Sequence, residues 1–296
     1  MAGSGQIRLL RRRIRSVKST QKITRAMEMI AASRIVKAQR RVREARPYAE
    51  QIHDIIRGLA ANSSVADHPL LTVREDVRRV AVIVNTADRG LAGAYNANVL
   101  KAAERTIREE EGQGRQVDLY VVGRKGAGYF AYRGRAAVGR YDGFSDEPTL
   151  EDAASIAETV MARYAEGELD RVWLVYTDFK SSLTQVPVRM ELLPVKPEEV
   201  GGENEQLRPE FLFEPDPAEI LDRLIPRYVE AKVFHSLLES SASEHAARQR
   251  AMKSATDNAS DVANSLSRVM NQARQDQITT EISEIVGGAE ALSSGG

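Results

Sequence analysis

Cysteine is absent from the 296 residues of this chain. Its absence excludes disulfide frameworks, thiolate zinc sites, iron–sulfur clusters and cysteine nucleophiles, and it favours an intracellular compartment. Aromatic residues make up only 5% of the chain, against 42% for all hydrophobic residues, so alanine and aliphatic side chains must do most of the packing. This balance favours helices over β-sandwiches.

Long apolar runs are also absent. No stretch of 18 or more apolar residues occurs, and charged sequence follows soon after Met1. The sequence therefore predicts neither a membrane-spanning helix nor a secretory signal. We expect any association with a membrane to go through a partner.

Proline and glycine are scarce at both ends of the chain. Between Gly5 and Gly58 the only helix breaker is Pro47, and between Pro226 and Gly287 there is none. Both stretches are predicted to be long helices. We expect an N-terminal shaft helix over residues 1–60 and a C-terminal shaft helix over residues 218–296.

Hydrophobic residues in the first helix follow a heptad pattern. Of the sixteen a and d positions from Ile7 to Leu59, thirteen are apolar, which predicts a left-handed coiled coil. The three polar positions, Gln21, Thr24 and Glu28, are consecutive. There the packing seam is expected to change face and to present Met27 outward. The local apolar stripe is Ile23, Met27 and Ile30.

The last helix has a polar break over residues 274–277, and apolar positions resume at Ile278. Before the break it has a matching seam, which consists of Met252, Ala255, Ala259, Val262, Leu266, Val269 and Ala273. The simplest way to bury the apolar seams at the two ends of the chain is to pack them against each other. The sequence therefore predicts an antiparallel coiled coil, with everything between forming an inserted domain.

The middle of the chain alternates strand and helix signals, which predicts a mostly parallel sheet in a Rossmann-like α/β domain over residues 75–195. A loop rich in acidic residues, proline and glycine follows over residues 196–217. The predicted strands are residues 79–85, 117–123, 170–177 and 186–195, and the predicted helices are residues 94–111, 124–132 and 149–166.

The net charge of zero conceals two opposed segments. Residues 1–60 hold 15 basic and 4 acidic residues, while residues 142–222 hold 6 basic and 20 acidic ones. Separated charge of this kind is typical of surfaces that meet different partners. The basic helix is consistent with a solvated face or with docking to an acidic protein surface, both of which we favour over contact with nucleic acid phosphates.

The sequence contains no recognisable catalytic or metal-binding motif. The glycine-bearing segments 85–96 and 123–128 match neither GxGxxG nor GxxxxGK[ST], so structural turns are favoured over a phosphate site. The four histidines are scattered without ligand spacing. We expect no cofactor, no metal and no enzyme activity in the chain itself. A nucleotide-dependent enzyme and a coiled-coil nucleic-acid module remain the alternatives.

Three segments closely resemble the gamma subunit of F-type ATP synthases of the bacterial type: residues 14–39, residues 86–96 (TADRGLAGAYN) and residues 239–292. In that family a cysteine is usual where this chain has Ala92. The resemblance implies a rotor shaft that couples proton flow through a c-ring to ATP synthesis. It also implies one copy per complex, three alpha and three beta subunits, an epsilon subunit, and a peripheral place on the cytoplasmic side of the cell membrane.

The resemblance also implies contact residues. For the alpha/beta ring they lie at the two polar breaks, at the central motif and at one arginine of the last helix. For the c-ring they lie in the acidic loop. The residues are Met27, Arg89, Arg248, Arg274, Gln275, Thr279 and Glu281 for the ring, and Phe211 and Glu214 for the c-ring.

Overall fold

The protein is described by a computed structural model over residues 2–60, 68–196 and 217–293. The expected mixed α/β fold with a long helix at each end is confirmed. The chain forms two compact units. One combines the residues up to Ile30 with those from Gln249 onward, and the other runs from Ala31 to Arg248. Both divisions fall inside the terminal helices, α1 (Ala2–Ala60) and α5 (Pro217–Ser293).

In the first unit, which we call the helical unit, α1 and α5 run antiparallel. Leu10 and Ile14 are buried on α1, and Met252 is buried on α5. The hydroxyls of Thr24 and Thr256 share a hydrogen bond of 2.7 Å between the helices. A polar heptad position is thereby buried with its hydrogen-bonding capacity satisfied.

The α1 packing seam keeps its face at Thr24, which contradicts the expected change of face, whereas the local apolar stripe is directed away from the seam as expected. Thr24 stays in the seam with 8% exposure, while Ile23 and Ile30 are 58% and 56% exposed. Because Thr256 satisfies the Thr24 hydroxyl, the helix has no need to rotate its contact face. The apolar stripe is instead directed outward, with Met27 half-buried at its edge.

The α5 seam also departs from the prediction. Thr256 and Ala263 are buried, whereas Val262 and Val269 are 48% and 46% exposed. The packed face carries the smaller side chains, which allow close approach. Beyond Ile278 the side chains described on α5 are exposed. With Thr24 opposite Thr256, Ala2 lies at about the level of Ile278, so the described part of α1 does not extend along this segment.

The second unit, which we call the α/β unit, is built on a five-stranded sheet of order β3-β2-β1-β4-β5. All strands are parallel except β5, which pairs antiparallel with β4. The strands are β1 (Arg79–Asn85), β2 (Gln116–Val122), β3 (Gly139–Tyr141), β4 (Arg171–Phe179) and β5 (Gln185–Leu193), and the helices between them are α2 (Tyr95–Gly112), α3 (Arg124–Tyr132) and α4 (Leu150–Ala165).

Hydrophobic cores cover both faces of this sheet. One face packs against α2 and α3, with Val99 and Phe130 in its core. The other packs against α4 and against parts of the two long helices, including Ile56 of α1 and Val229 of α5. Helix α4 begins at a capping box between Thr149 and Asp152. None of the described helices has a segment long and apolar enough to span a bilayer.

Candidate interaction sites

Helix α5 occupies the crevice in which open parallel sheets usually bind ligands. That crevice lies at the carboxyl ends of the strands where strand order reverses, here between β1 and β4. Asn85, which ends β1, donates from Nδ2 to Ser236 Oγ over 3.0 Å, and Ser243 Oγ donates to the Thr177 carbonyl of β4 over 3.2 Å. Both serines are fully buried. The carboxyl ends of these strands thus bind a helix of the same chain.

The N-terminus of α3, the other place where a phosphate could bind, is also occupied from within. Its first N–H groups would attract an anion if they were free. Arg124 N donates to Asp88 Oδ1 over 3.1 Å, Lys125 N to the Ala87 carbonyl over 3.0 Å, and Gly126 N to Thr86 Oγ1 over 2.9 Å. The loop after β1 therefore takes the place of an anionic ligand.

The glycines of this region have steric roles. Gly123 has φ of +89°, and a Cβ there would lie 2.2 Å from the Thr86 carbonyl oxygen. A Cβ at Gly126 would lie 2.7 Å from Thr86 Oγ1. Close packing of α3 on the loop after β1 explains both glycines, which supports structural turns over a phosphate site. Among the described residues no group of acidic residues and histidines is arranged to hold a metal ion.

Asp146, in the loop between β3 and α4, is the centre of a charged cluster. Arg34 of α1 donates to its Oδ2 over 2.5 Å, and Arg89 Nη1 lies 3.2 Å from the same oxygen. Arg248 Nη1 lies 3.9 Å from Oδ1. Burial alone would raise the pKa of Asp146, but the Arg34 hydrogen bond and the surrounding positive charges hold it below its usual range. Asp146 is therefore charged at neutral pH.

Arg248, a predicted partner contact, lies inside the α/β unit with 8% exposure. Its Nη2 donates to Glu244 Oε1 over 2.5 Å and to the Gly90 carbonyl over 3.3 Å. All of the hydrogen bonds described for its side chain are internal to this unit. In this state Arg248 supports the loop that carries Arg89.

The neighbours of Arg248 on α5 have strongly shifted acidities. Burial raises the pKa of Glu244 to about 7, although Arg248 favours its charged form. Burial lowers the pKa of His245 to about 4, despite the opposing attraction of Asp146. His245 is therefore neutral at neutral pH, and Glu244 exchanges its proton near pH 7.

The remaining predicted contacts among the described residues are accessible. Arg89 keeps 68% of its side-chain surface exposed. In the helical unit, Arg274, Gln275, Thr279 and Glu281 are exposed, and Glu281 accepts a hydrogen bond of 2.8 Å from Gln277. Phe211 and Glu214 lie outside the described residues. The structure thus groups four contacts near the end of the helical pair and two at the Asp146 cluster.

Sequence reasoning missed Asp88, Asp146 and Glu244. The spacing of Glu244 and Arg248 by four residues on a helix is a usable signal for an ion pair. Asp88 lies within the quoted central motif, but its bonds to the α3 backbone depend on the folded sheet. Nothing local in the sequence distinguishes Asp146 from the other acidic residues around it.

The fold is shared with central parts of rotary ATP synthases. It matches a chain from the Tetrahymena thermophila mitochondrial ATP synthase central stalk and c-ring with a TM-score of 0.59 and 26% identity, over 79% of this chain and 99% of that one. It matches a chain from the Euglena gracilis mitochondrial ATP synthase with a TM-score of 0.69 and 18% identity, over 99% and 96% of the two chains.

Sequence comparison narrows this class. The family model described as ATP synthase matches residues 6–292. The ATP synthase gamma chain of Frankia casuarinae is 52% identical over 99% of each chain, and that of Streptomyces avermitilis is 50% identical over 97% of this chain and 96% of its own length. The chain belongs to the ATP synthase gamma-chain family, whose members are rotor subunits of the central stalk of F-type ATP synthases.

Proposed function

We propose that this chain is the shaft that couples proton movement through a c-ring to rotary catalysis of ATP synthesis and hydrolysis on an alpha/beta ring. The observation that carries the proposal is the full-length family match on a chain whose first and last helices form an antiparallel pair. A paired helix resists bending and twisting better than a single one, as a shaft requires. The outward faces of the pair remain available to a surrounding bearing.

The chain itself is proposed to be non-catalytic. The crevice at the sheet edge holds Ser236 and Ser243 of α5, and the α3 N-terminus is capped by residues 86–88. A nucleotide would have to displace buried parts of the same fold to bind at either place. The ATP chemistry is therefore assigned to the alpha and beta subunits, and no cofactor is assigned to this chain.

Contacts with the alpha/beta ring are assigned to the predicted residues of both units. Arg274, Gln275, Thr279 and Glu281 are exposed on α5, and Arg89 is exposed on the α/β unit. Met27 is proposed to contact the ring at the edge of its outward stripe, and Arg248 to act from within.

The basic side chains of α1 are proposed to face an acidic protein surface rather than a nucleic acid. The part of α1 within the helical unit carries eight of them, all exposed on the same helix as the buried seam. Interface charges of this kind mainly guide and orient association. The eight residues are Arg8, Arg11, Arg12, Arg13, Arg15, Lys18, Lys22 and Arg25.

The rest of the assembly follows from the family. We assign Phe211 and Glu214 to the c-ring and the α/β unit to the epsilon subunit. A single copy would serve three alpha and three beta subunits on the cytoplasmic side of the cell membrane. The absence of cysteine makes these assignments accessible to labelling, because one introduced thiol is unique in the chain.

A rotation assay tests the proposed function. The chain with Leu183→Cys, at a position 81% exposed, is labelled with a probe and assembled with surface-fixed alpha and beta subunits. ATP is expected to drive rotation of the probe in one direction. Equal ATP hydrolysis by the ring with and without the chain, and no rotation, would overturn the proposal.

The same assay tests the assigned contacts on α5. The double change Arg274→Ala and Gln275→Ala is expected to slow ATP-driven rotation about tenfold, the effect of losing a contact worth about 1.4 kcal/mol. The matched control is Asn264→Ala with Ser265→Ala, two exposed residues of the same helix. Normal rotation by the first pair in an intact assembly would place the contact elsewhere.

A further inference from the structure

The loop over residues 145–148 is bound by both long helices within the α/β unit. From α1, Arg34 donates to the Asp146 carboxylate and Arg41 donates to the Pro148 carbonyl. From α5, Ser241 Oγ donates to the Asp146 carbonyl over 2.8 Å, and His245 Nε2 lies 3.4 Å from the same oxygen. Four polar, directional contacts therefore join α1 and α5 to this loop.

The loop of Arg89 is fastened to this point on both sides. Before Arg89, Asp88 accepts hydrogen bonds from Gly143 N over 2.9 Å and Ser145 N over 3.1 Å. After it, the Gly90 carbonyl accepts from Arg248 over 3.3 Å. The contacts of Asp88 and Gly90 thus fix the backbone of Arg89. The orientation of the Arg89 guanidinium then depends on the contacts of its own side chain.

The side chain of Arg89 rests on Asp146. Its Nη1 lies 3.2 Å from Oδ2, the oxygen that Arg34 also contacts. Asp146 has 19% of its side-chain surface exposed, against 68% for Arg89. A largely buried, anchored carboxylate therefore orients an accessible guanidinium.

The backbone next to Arg89 is strained in a way that functional loops often are. Leu91 has φ of 61° and is the one non-glycine residue with positive φ in the described part of the chain. A leucine in this conformation costs about 1 kcal/mol or more. Leu91 is also 61% exposed. The loop thus presents an arginine and a leucine outward from a backbone that the surrounding fold must hold in place.

We infer that Asp146 is a positioning residue: it fixes the orientation in which Arg89 meets the alpha/beta ring, and the hydrogen bond from Arg34 holds the Asp146 carboxylate in place for that purpose. The inference rests on the proposed function, because it assigns Asp146 a role through the contact made by Arg89. Without the carboxylate, Arg89 samples other rotamers and loses entropy on each encounter with the ring.

A double-mutant cycle in the assembled complex tests the inference. ATP-driven rotation is measured for the wild type, Arg89→Ala, Asp146→Asn and the double variant. Arg89→Ala and Asp146→Asn are each expected to slow rotation several-fold, and the double variant is expected to be no slower than Arg89→Ala. Asp146→Glu, which keeps the charge, should recover part of the loss.

Two further variants keep the test interpretable. Asp142→Asn removes an exposed carboxylate that pairs with Arg124 over 3.3 Å in the same region, and it is expected to rotate normally. Arg34→Gln weakens the support of Asp146 while leaving Asp146 present. It should slow rotation in the wild-type background and have no further effect beside Arg89→Ala, which tests the inference even if Asp146→Asn does not fold.

The outcomes separate the inference from the proposed function. If Arg89→Ala rotates normally, the assigned Arg89 contact fails and the inference fails with it, while the shaft function stands on rotation by the wild type. If Arg89→Ala is slow but the effects of Asp146→Asn and Arg34→Gln multiply with it, Asp146 acts by another route and the inference is overturned.

Discussion

Helix α5 passes through two contrasting environments. Between residues 236 and 248 it lies in the α/β unit, where Ser236, Ser243 and Ala246 are fully buried. Beyond Gln249 it lies in the helical unit, where Met252, Thr256 and Ala263 are the buried residues among those whose side chains the structure describes. The two segments belong to one continuous helix. The segment over residues 236–248, the anchored segment, makes polar contacts with several other elements, whereas the segment beyond Gln249, the paired segment, is buried on a single face.

This difference shows that small residues can have two different roles on one helix. In the anchored segment, the Ser236 hydroxyl accepts a hydrogen bond from Asn85 and the Ser243 hydroxyl donates one to the Thr177 carbonyl, so α5 fills the ligand crevice with directional contacts to the sheet edge. In the paired segment, Ala263 and Thr256 let two helices approach closely and leave larger side chains outside. A shaft needs both properties: a fixed root and an accessible outer surface.

The largest expected effect is that of overfilling the anchored segment. Ser243→Leu adds volume at a position with no exposure and removes the hydrogen bond to the Thr177 carbonyl. We expect the free energy of unfolding to fall by about 3 kcal/mol. The matched change Ser265→Leu, at an exposed position of the paired segment, should alter it by less than about 0.5 kcal/mol.

Urea unfolding of the full chain, followed by circular dichroism, measures both variants. Equal losses of unfolding free energy at the two positions would contradict this contrast, because they would show that the outer face of the paired segment is packed as tightly as the anchored segment. A small loss at Ser243 alone would show that the sheet edge has room for a larger side chain.

Much of the sheet was predictable because its signals are local. The strand over residues 79–85 was predicted with the bounds of β1, and α4 was predicted as a helix over residues 149–166. Strand β3 was missed because three residues show no period. Its place at the sheet edge is set by pairing with β2, which the sequence does not display.

The contact faces and the charged cluster were harder to predict. The α5 seam was expected to include Val262, but the choice of face depends on the partner helix and on the Thr24 to Thr256 hydrogen bond. The Asp146 cluster joins residues that are more than 100 positions apart in the chain, such as Arg34 and Asp146. A pattern search along the sequence cannot find such a set, whereas the exposed contacts were proposed from family motifs.

A smaller effect is expected from the proton on Glu244, the buried acid of the anchored segment. Its carboxyl has an ordinary pKa of 4.5, and burial raises the folded pKa to about 7. The folded chain therefore binds this proton more tightly than the unfolded chain. The resulting stability is fully present below about pH 4.5 and is lost as the pH rises through about 7.

The variant Glu244→Gln isolates this contribution. The difference in unfolding free energy, variant minus wild type, is expected to increase by roughly 2 kcal/mol between about pH 5 and pH 7.5 and to level off above that range. Burial lowers the pKa of the neighbouring His245 from 6.5 to about 4. Protonation of His245 therefore destabilises the fold as the pH falls from about 6.5 to about 4. This effect is common to both proteins and cancels in the difference.

The control for this measurement is Glu284→Gln, which removes an exposed carboxylate from the paired segment of the same helix. A difference for Glu244→Gln that stays constant or decreases with pH would mean that Arg248 keeps Glu244 ionised throughout. The anchored segment would then be held by a permanent ion pair. An increase with pH would instead show that α5 is rooted in the sheet by a carboxyl that gives up its proton near neutrality, so that the strength of the root depends on the pH around it.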